Sequence, residues 1–186
     1  MEKFCFIIVL FLFNQLFAQH TNVLISNLNN PNETTIVLDP NNTDKIVAAA
    51  NLDNYYVSSD GGYTWTEHVQ SSSYGVWGDP AVFVDTAGHF YYFHLSNPDS
   101  GNWIDRIVCQ KSSDNGTTWT DGTYMGLNGT KAQDKEWVVV DRNTNHIYVT
   151  WTQFDDYGST NVNDSTIILF SKSVDGGQTW SSYNCL

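Results

Sequence analysis

Beyond residue 18 the apolar residues of this chain fall in short runs separated by polar turns rich in Gly, Asn, Asp and Pro. Three runs end in an aspartate: Thr35–Asp39, Ala81–Asp85 and Trp137–Asp141. After a polar turn each is followed by a second run, at Ile46–Ala50, Phe90–Leu95 and Ile147–Trp151. A third set covers Tyr55–Val57, Ile107–Cys109 and Ile167–Phe170, and a fourth begins at Trp65, Trp119 and Trp180. Short runs rich in Val, Ile, Tyr, Phe and Trp and bounded by turn residues predict β-strands. Several are apolar at consecutive positions, which predicts strands covered on both faces. No stretch beyond residue 18 has helical periodicity.

The pattern repeats as a unit. Ser58-Ser-Asp-Gly-Gly-Tyr-Thr-Trp65, Ser112-Ser-Asp-Asn-Gly-Thr-Thr-Trp119 and Ser173-Val-Asp-Gly-Gly-Gln-Thr-Trp180 share the form S-x-D-x-G-x-T-W. The chain therefore reads as all-β, with three antiparallel four-stranded meanders over about residues 33–70, 79–125 and 134–186, the organisation of β-propeller blades. The motif reads as a tight turn between strands three and four. Gly62, Gly116 and Gly177 supply positive φ where the chain reverses. Asp60, Asp114 and Asp175 accept from turn N–H groups, while Ser58, Ser112, Ser173, Thr64, Thr118 and Thr179 tie the flanking strand ends. Trp65, Trp119 and Trp180 drive their rings between neighbouring sheets. Repetition at blade spacing points to a structural role, not a catalytic one.

Twenty acidic against eight basic residues give a net charge of −12, which argues against nucleic-acid binding and against docking on anionic membranes. The high aromatic content argues against disorder. Residues 1–18 read as a secretory signal peptide: Lys3, the apolar run Phe4 to Phe13, and a cleavage site after Ala18. That run is too short to span a bilayer, so the mature chain, residues 19–186, is expected to be secreted or displayed at the cell surface with no membrane span. Cys109 and Cys185 remain after cleavage. They suffice for one disulfide, but a buried strand position and a position next to the last residue favour two unpaired thiols. Asn32, Asn41, Asn115, Asn128 and Asn163 head N-x-S/T sequons, which matter only in a eukaryotic secretory route.

The repeated motif resembles the Asp-box, or BNR repeat, of the sialidase (neuraminidase) superfamily. Gly78-Asp-Pro-Ala-Val-Phe-Val-Asp85 and Asp134-Lys-Glu-Trp-Val-Val-Val-Asp141 look like the corresponding phrases of bacterial secreted sialidase-like proteins. The resemblance implies a propeller of six blades when complete, of which this chain carries about three. The remaining blades are then expected from the same longer chain or from self-association. It also implies a glycan ligand and, for the complete protein, glycoside hydrolysis of the exo-sialidase type. Sialidases hold the substrate carboxylate with three arginines, the first in an Arg-Ile-Pro motif. That motif is absent here, and Arg106 and Arg142, the two arginines present, do not match the family's positions.

Residues just before strand one of each blade point at one mouth of a propeller. Trp77, Gly78 and Asp79 occupy that place in blade two, and Asp134, Lys135 and Glu136 in blade three. Clustered carboxylates beside an aromatic suit glycoside chemistry, which makes Asp79, Asp134 and Glu136 candidate catalytic groups and Trp77 a candidate sugar-stacking residue. The plainer reading, that Asp79-Pro80 and Asp134 merely initiate strands, weighs more than the functional one. No metal site or cofactor is expected. His89 and His146 precede strand two of successive blades, with Lys45 at that place in blade one, and read as solvent-facing turn residues. The turn Asp39 to Asp44 has oxygen ligands suited to Ca2+ but lacks a recognised loop. Three functions stand: a glycoside hydrolase, a non-catalytic glycan- or protein-binding propeller, and a structural repeat module.

Overall fold

The computed structural model describes residues 22–182; the signal-peptide segment and Cys185 lie outside them. It contains eleven strands in three antiparallel sheets and no helix among the described residues. Sheet one is β1 (Thr35–Asp39), β2 (Asn42–Ala50), β3 (Asn54–Ser58) and β4 (Thr66–Val69). Sheet two is β5 (Gly78–Val84), β6 (Phe90–Leu95), β7 (Ile107–Ser112) and β8 (Thr123–Met125). Sheet three is β9 (Ala132–Val140), β10 (Ile147–Phe154) and β11 (Thr166–Ser173). The order within each sheet is that of the sequence, a meander, because strands consecutive in the chain pair directly.

The sheets stack face to face. Val47, Ala49 and Tyr55 of sheet one pack on Val82, Val84, Phe90 and Tyr92 of sheet two. The opposite face of sheet two, with Tyr91, Phe93, Ile107 and Cys109, packs on Val138, Ile147, Val149 and Trp151 of sheet three. The central sheet is thus covered on both sides, and all six residues of β6 are buried. This is why Phe90–Leu95 is apolar without alternation. The outer face of sheet one keeps Ile36 and Leu38 exposed, and that of sheet three exposes Trp137, Val139, Ile168 and Phe170. Cys109 is a free, buried thiol that burial pushes well above the usual thiol range.

The three motif turns are built alike. Asp60 Oδ1 accepts from Ser58 Oγ and from the Thr64 N–H, both at 2.9 Å, and Oδ2 accepts from Thr64 Oγ1 at 2.6 Å. The Gly62 N–H donates back to Ser58 Oγ at 2.9 Å. Asp114 with Ser112, Gly116 and Thr118, and Asp175 with Ser173, Gly177 and Thr179, repeat the same bonds. The Thr64 bonds hold the Asp60 carboxyl at about 2. Gly116 sits at φ +81°, and a Cβ there would meet Val47 Cγ2 of sheet one at 2.7 Å, so turn geometry and sheet stacking both demand glycine. The tryptophans fill the seams: Trp119 packs edge-on against Tyr55 and Tyr92 between sheets one and two, and Trp180 against Phe93 between sheets two and three. Asp114→Ala removes the turn's carboxylate acceptor at an exposed site and is expected to cost about 1 kcal/mol, read by urea unfolding; an unchanged midpoint would count against the turn account.

Some boundaries differ from the sequence expectation. The fourth strand of sheet two starts at Thr123, not Trp119, because Gly122 at φ +106° turns the chain first. A fourth strand is not present in sheet three among the described residues. Lys45 lies inside β2 and not in a turn. Gly78 and Asp79, and Asp134 to Glu136, belong to β5 and β9 and do not precede them. Among the described residues no helix is long and apolar enough to cross a membrane.

Candidate functional site

The motif turns lie at one end of the sheets. The opposite end collects the Asn51–Asp53 turn, the connections before β5 and β9, and the long loops after β6 and β10. There the inner strands β5 and β9 are bulged. In sheet two Gly78 pairs with Leu95 and Ala81 with Phe93, so Asp79 and Pro80 together face His94. In sheet three Asp134 pairs with Thr152 and Trp137 with Thr150, so Lys135 and Glu136 together face Trp151. A bulge re-aims side chains at a sheet's end, and Pro80, lacking an N–H, is suited to one. Asp79 and Lys135 take φ of +49° and +52°, and Glu33, at the same offset before Asp39, takes +50°. Positive φ at non-glycine residues is costly, yet it recurs at the start of all three inner strands.

These turns assemble a charged cluster. Asn51 Oδ1 accepts the Asp79 N–H at 2.5 Å, and its Nδ2 donates to Asp79 Oδ1 and Asn32 Oδ1 at 3.4 Å. Lys135 Nζ lies 3.8 Å from Asp79 Oδ2. A hydrogen bond to Asp79, together with the Asp79 charge, raises the Glu33 carboxyl above its ordinary value. Burial, with the Asp79 charge added, raises Asp134. The Tyr157 phenol, which hydrogen-bonds Asp134, is itself raised by the Asp134 charge, so it stays protonated and donates.

A cleft of about 200 Å³ opens here, lined by Glu33, Asn51, Trp77, Asp79, Trp103 and Tyr157, with Asp134 alongside. Trp77 and Trp103 meet edge to face at 5.5 Å, Trp103 and Tyr157 at 5.3 Å, and Tyr157 and Phe154 at 5.1 Å. The loop carrying Trp103 is held by Asp105, which accepts from Ser96 Oγ at 2.9 Å and from Arg106 Nε and Nη2 at 2.7 and 2.8 Å. Arg106 is in turn enclosed by the Tyr74 and Tyr124 rings, and the Gln133 N–H donates to Ile104 O at 2.7 Å, joining this loop to sheet three. The sequence reading named Trp77, Asp79 and Asp134 but missed Glu33, Asn51, Trp103 and Tyr157. The offset from Asp39 was the one signal that pointed to Glu33.

Glu136 does not line the cleft. It is 2 % exposed, and neither carboxyl oxygen makes a hydrogen bond among the described residues. Burial, with the charges of Asp79 and Asp134, raises it well above the ordinary 4.5. The fold therefore keeps a proton that the unfolded chain releases, and stability falls as pH rises from about 4.5 toward the folded value. Glu136→Gln is expected to flatten that decline in melts between about pH 4 and 8; an identical slope would mean that Glu136 is ionised in the fold.

Arg142 sits in the β9–β10 turn, at the far end from the cleft. His89 pairs through Nδ1 with Asp85 Oδ2 at 2.9 Å, and His146 contacts the Tyr148 ring, both in turns at that far end. Asp39 Oδ1 accepts from the Asn41 N–H of its own turn at 2.8 Å. No three His, Cys, Asp or Glu side chains converge on a metal-sized site among the described residues.

No family model matches the sequence, and no curated protein does. Solved structures do. An α-L-arabinofuranosidase from Fusarium graminearum, solved with arabinobiose, superimposes with a TM-score of 0.59 at 15 % identity, over 81 % of this chain and 47 % of its own. An ulvan lyase bound to a glucuronate–sulfated rhamnose unit superimposes with a TM-score of 0.57 at 15 % identity, over 82 % and 41 %. The chain thus spans about half the length of these structures or less. At this identity the likeness establishes the architecture: stacked antiparallel sheets of the β-propeller type.

Proposed function

We propose that the chain is the front part of an exported propeller that binds a glycan in the Asp79–Asp134 cleft and cleaves it as a glycoside hydrolase. The observation that carries this reading is the pairing of two carboxyl groups with exposed Trp77, Trp103 and Tyr157 in one cleft. Aromatic faces stack on sugar rings, and a carboxyl pair supplies the acid and its ionised partner. Burial and the Asp79 charge keep the proton on Asp134 to higher pH than usual, as a general acid requires. Asp79 is then the second carboxyl group of the pair. Tyr157 and Asn51 are positioning residues for Asp134 and Asp79. The signal-like residues 1–18 support export, and both similar structures are glycan-active enzymes. The exposed faces of sheets one and three fit further blades of a longer chain, or a second copy.

An exo-sialidase activity would need guanidinium groups at this mouth. Arg106 is committed to Asp105 and Arg142 lies at the far end, so such groups would come from outside the described residues. The missing Arg-Ile-Pro motif favours a second reading, a propeller that binds glycan without cleaving it. The test is incubation of the purified exported protein with a panel of aryl glycosides and polysaccharides. Released sugar supports hydrolysis, binding without release selects the second reading, and a folded protein that does neither refutes both.

A further inference from the structure

Resting on the glycan reading of this cleft, we propose that its ligand is the uncharged end of a neutral oligosaccharide, and that the cleft rejects anionic glycans.

The charge is one-sided. Three carboxyl side chains, Glu33, Asp79 and Asp134, line the space. The cation close to them is Lys135, which already lies 3.8 Å from Asp79 Oδ2. Lys131, further along the same connection, pairs with Asp155 Oδ1 at 2.5 Å. A hydrogen bond to Asp79 with its charge makes Glu33, and burial with the same charge makes Asp134, hold their protons more tightly, so a uronate, sialate or sulfate brought in here would meet the same unfavourable field and, among the described residues, no uncommitted guanidinium. Like charge at close quarters in a partly desolvated cleft is strongly unfavourable. Neutral hydroxyls, in contrast, donate well to carboxylates and to the Asn51 carbonyl.

The walls and the volume fit one ring. Trp77, Trp103 and Tyr157 are each between 37 % and 48 % exposed, which leaves ring surface for an apolar sugar face while the edge-to-face contacts fix their orientation. A space of about 200 Å³ is below the roughly 300–1,000 Å³ of pockets for drug-sized ligands, a size that suits one sugar ring. The two similar structures frame the alternatives: one holds arabinobiose, which is neutral, and the other a glucuronate–sulfated rhamnose unit, which is anionic. The charge at this mouth favours the first.

The experiment is a glycan array on the full exported protein, with matched neutral and acidic oligosaccharides, followed by titration calorimetry on the best neutral hit and its uronate-bearing counterpart. Neutral ligands are expected to bind about 10–100-fold tighter than their acidic counterparts. Asp79→Asn is expected to narrow that ratio, and Trp103→Ala to weaken neutral binding about tenfold. A preference for acidic glycans, or a ratio unchanged by Asp79→Asn, overturns this inference and leaves the glycan reading in place. No binding to any glycan by a protein with native circular dichroism overturns both.

Discussion

Trp151→Ala is expected to destabilise the protein by about 3–5 kcal/mol, a large-to-small change in the buried core. Trp151 is 1 % exposed in the seam between sheets two and three. Its Nε1 donates to Gln133 Oε1 at 2.8 Å, and Gln133 is itself fully buried. Truncation therefore opens a cavity and strands a buried acceptor. Trp151→Phe keeps most of the volume and loses the hydrogen bond alone, so about 1–2 kcal/mol is expected. Because Trp151 is the residue opposite the Lys135–Glu136 bulge, the alanine variant should also loosen the cleft and weaken ligand binding at temperatures where it remains folded. Urea unfolding of both variants reads the first effect; a loss below about 1 kcal/mol for the alanine variant would mean that the seam repacks freely.

On the hydrolase reading proposed above, Asp134→Asn is expected to lower kcat by about 10²–10⁴-fold, the usual worth of a positioned proton donor, with the fold intact. Asparagine preserves shape and can still accept from Tyr157, but it cannot deliver a proton. The pH profile carries the sharper signature. Asp134 is raised by burial and by Asp79, so its acid form persists above the ordinary carboxyl range and is lost as pH rises through the folded value. Wild-type activity should fall on that alkaline side, and the residual activity of the variant should lack the same limb. Unchanged kcat in Asp134→Asn would remove this residue from the chemistry, and a limb that persists would assign it to another group.

Local signals in this chain were strong wherever the same task recurs in each sheet. The turn at Asp114 needs a carboxylate, a glycine and two hydroxyls at fixed offsets, so its bonds could be anticipated from residue types. Asp79 and Asp134 stood out because each lies just ahead of the apolar run of an inner strand. Glu33 escaped notice because no Asp-Pro or Asp-Lys-Glu phrase surrounds it, although its backbone matches Asp79 and Lys135 in φ. Trp103 and Tyr157 come from loops that follow no period. Nothing local says that the Asp105–Arg106 anchor and the Phe154 contact turn them toward one cleft.

Glu136 marks the boundary between the two kinds of information. Sequence position grouped it with Asp134, and the alternation of β9 then sends neighbouring side chains to opposite faces: Glu136 is buried and Trp137 exposed. By itself the sequence determined the class of fold, the strand meanders, the motif turns and the end of the sheets where charge collects, because each depends on contacts between residues close along the chain. Only the tertiary structure decided which carboxyls share a cleft, which one is buried without partners and which aromatics wall the space. Those outcomes depend on how bulged strands and long loops from different sheets stack, and that stacking is a property of distant contacts.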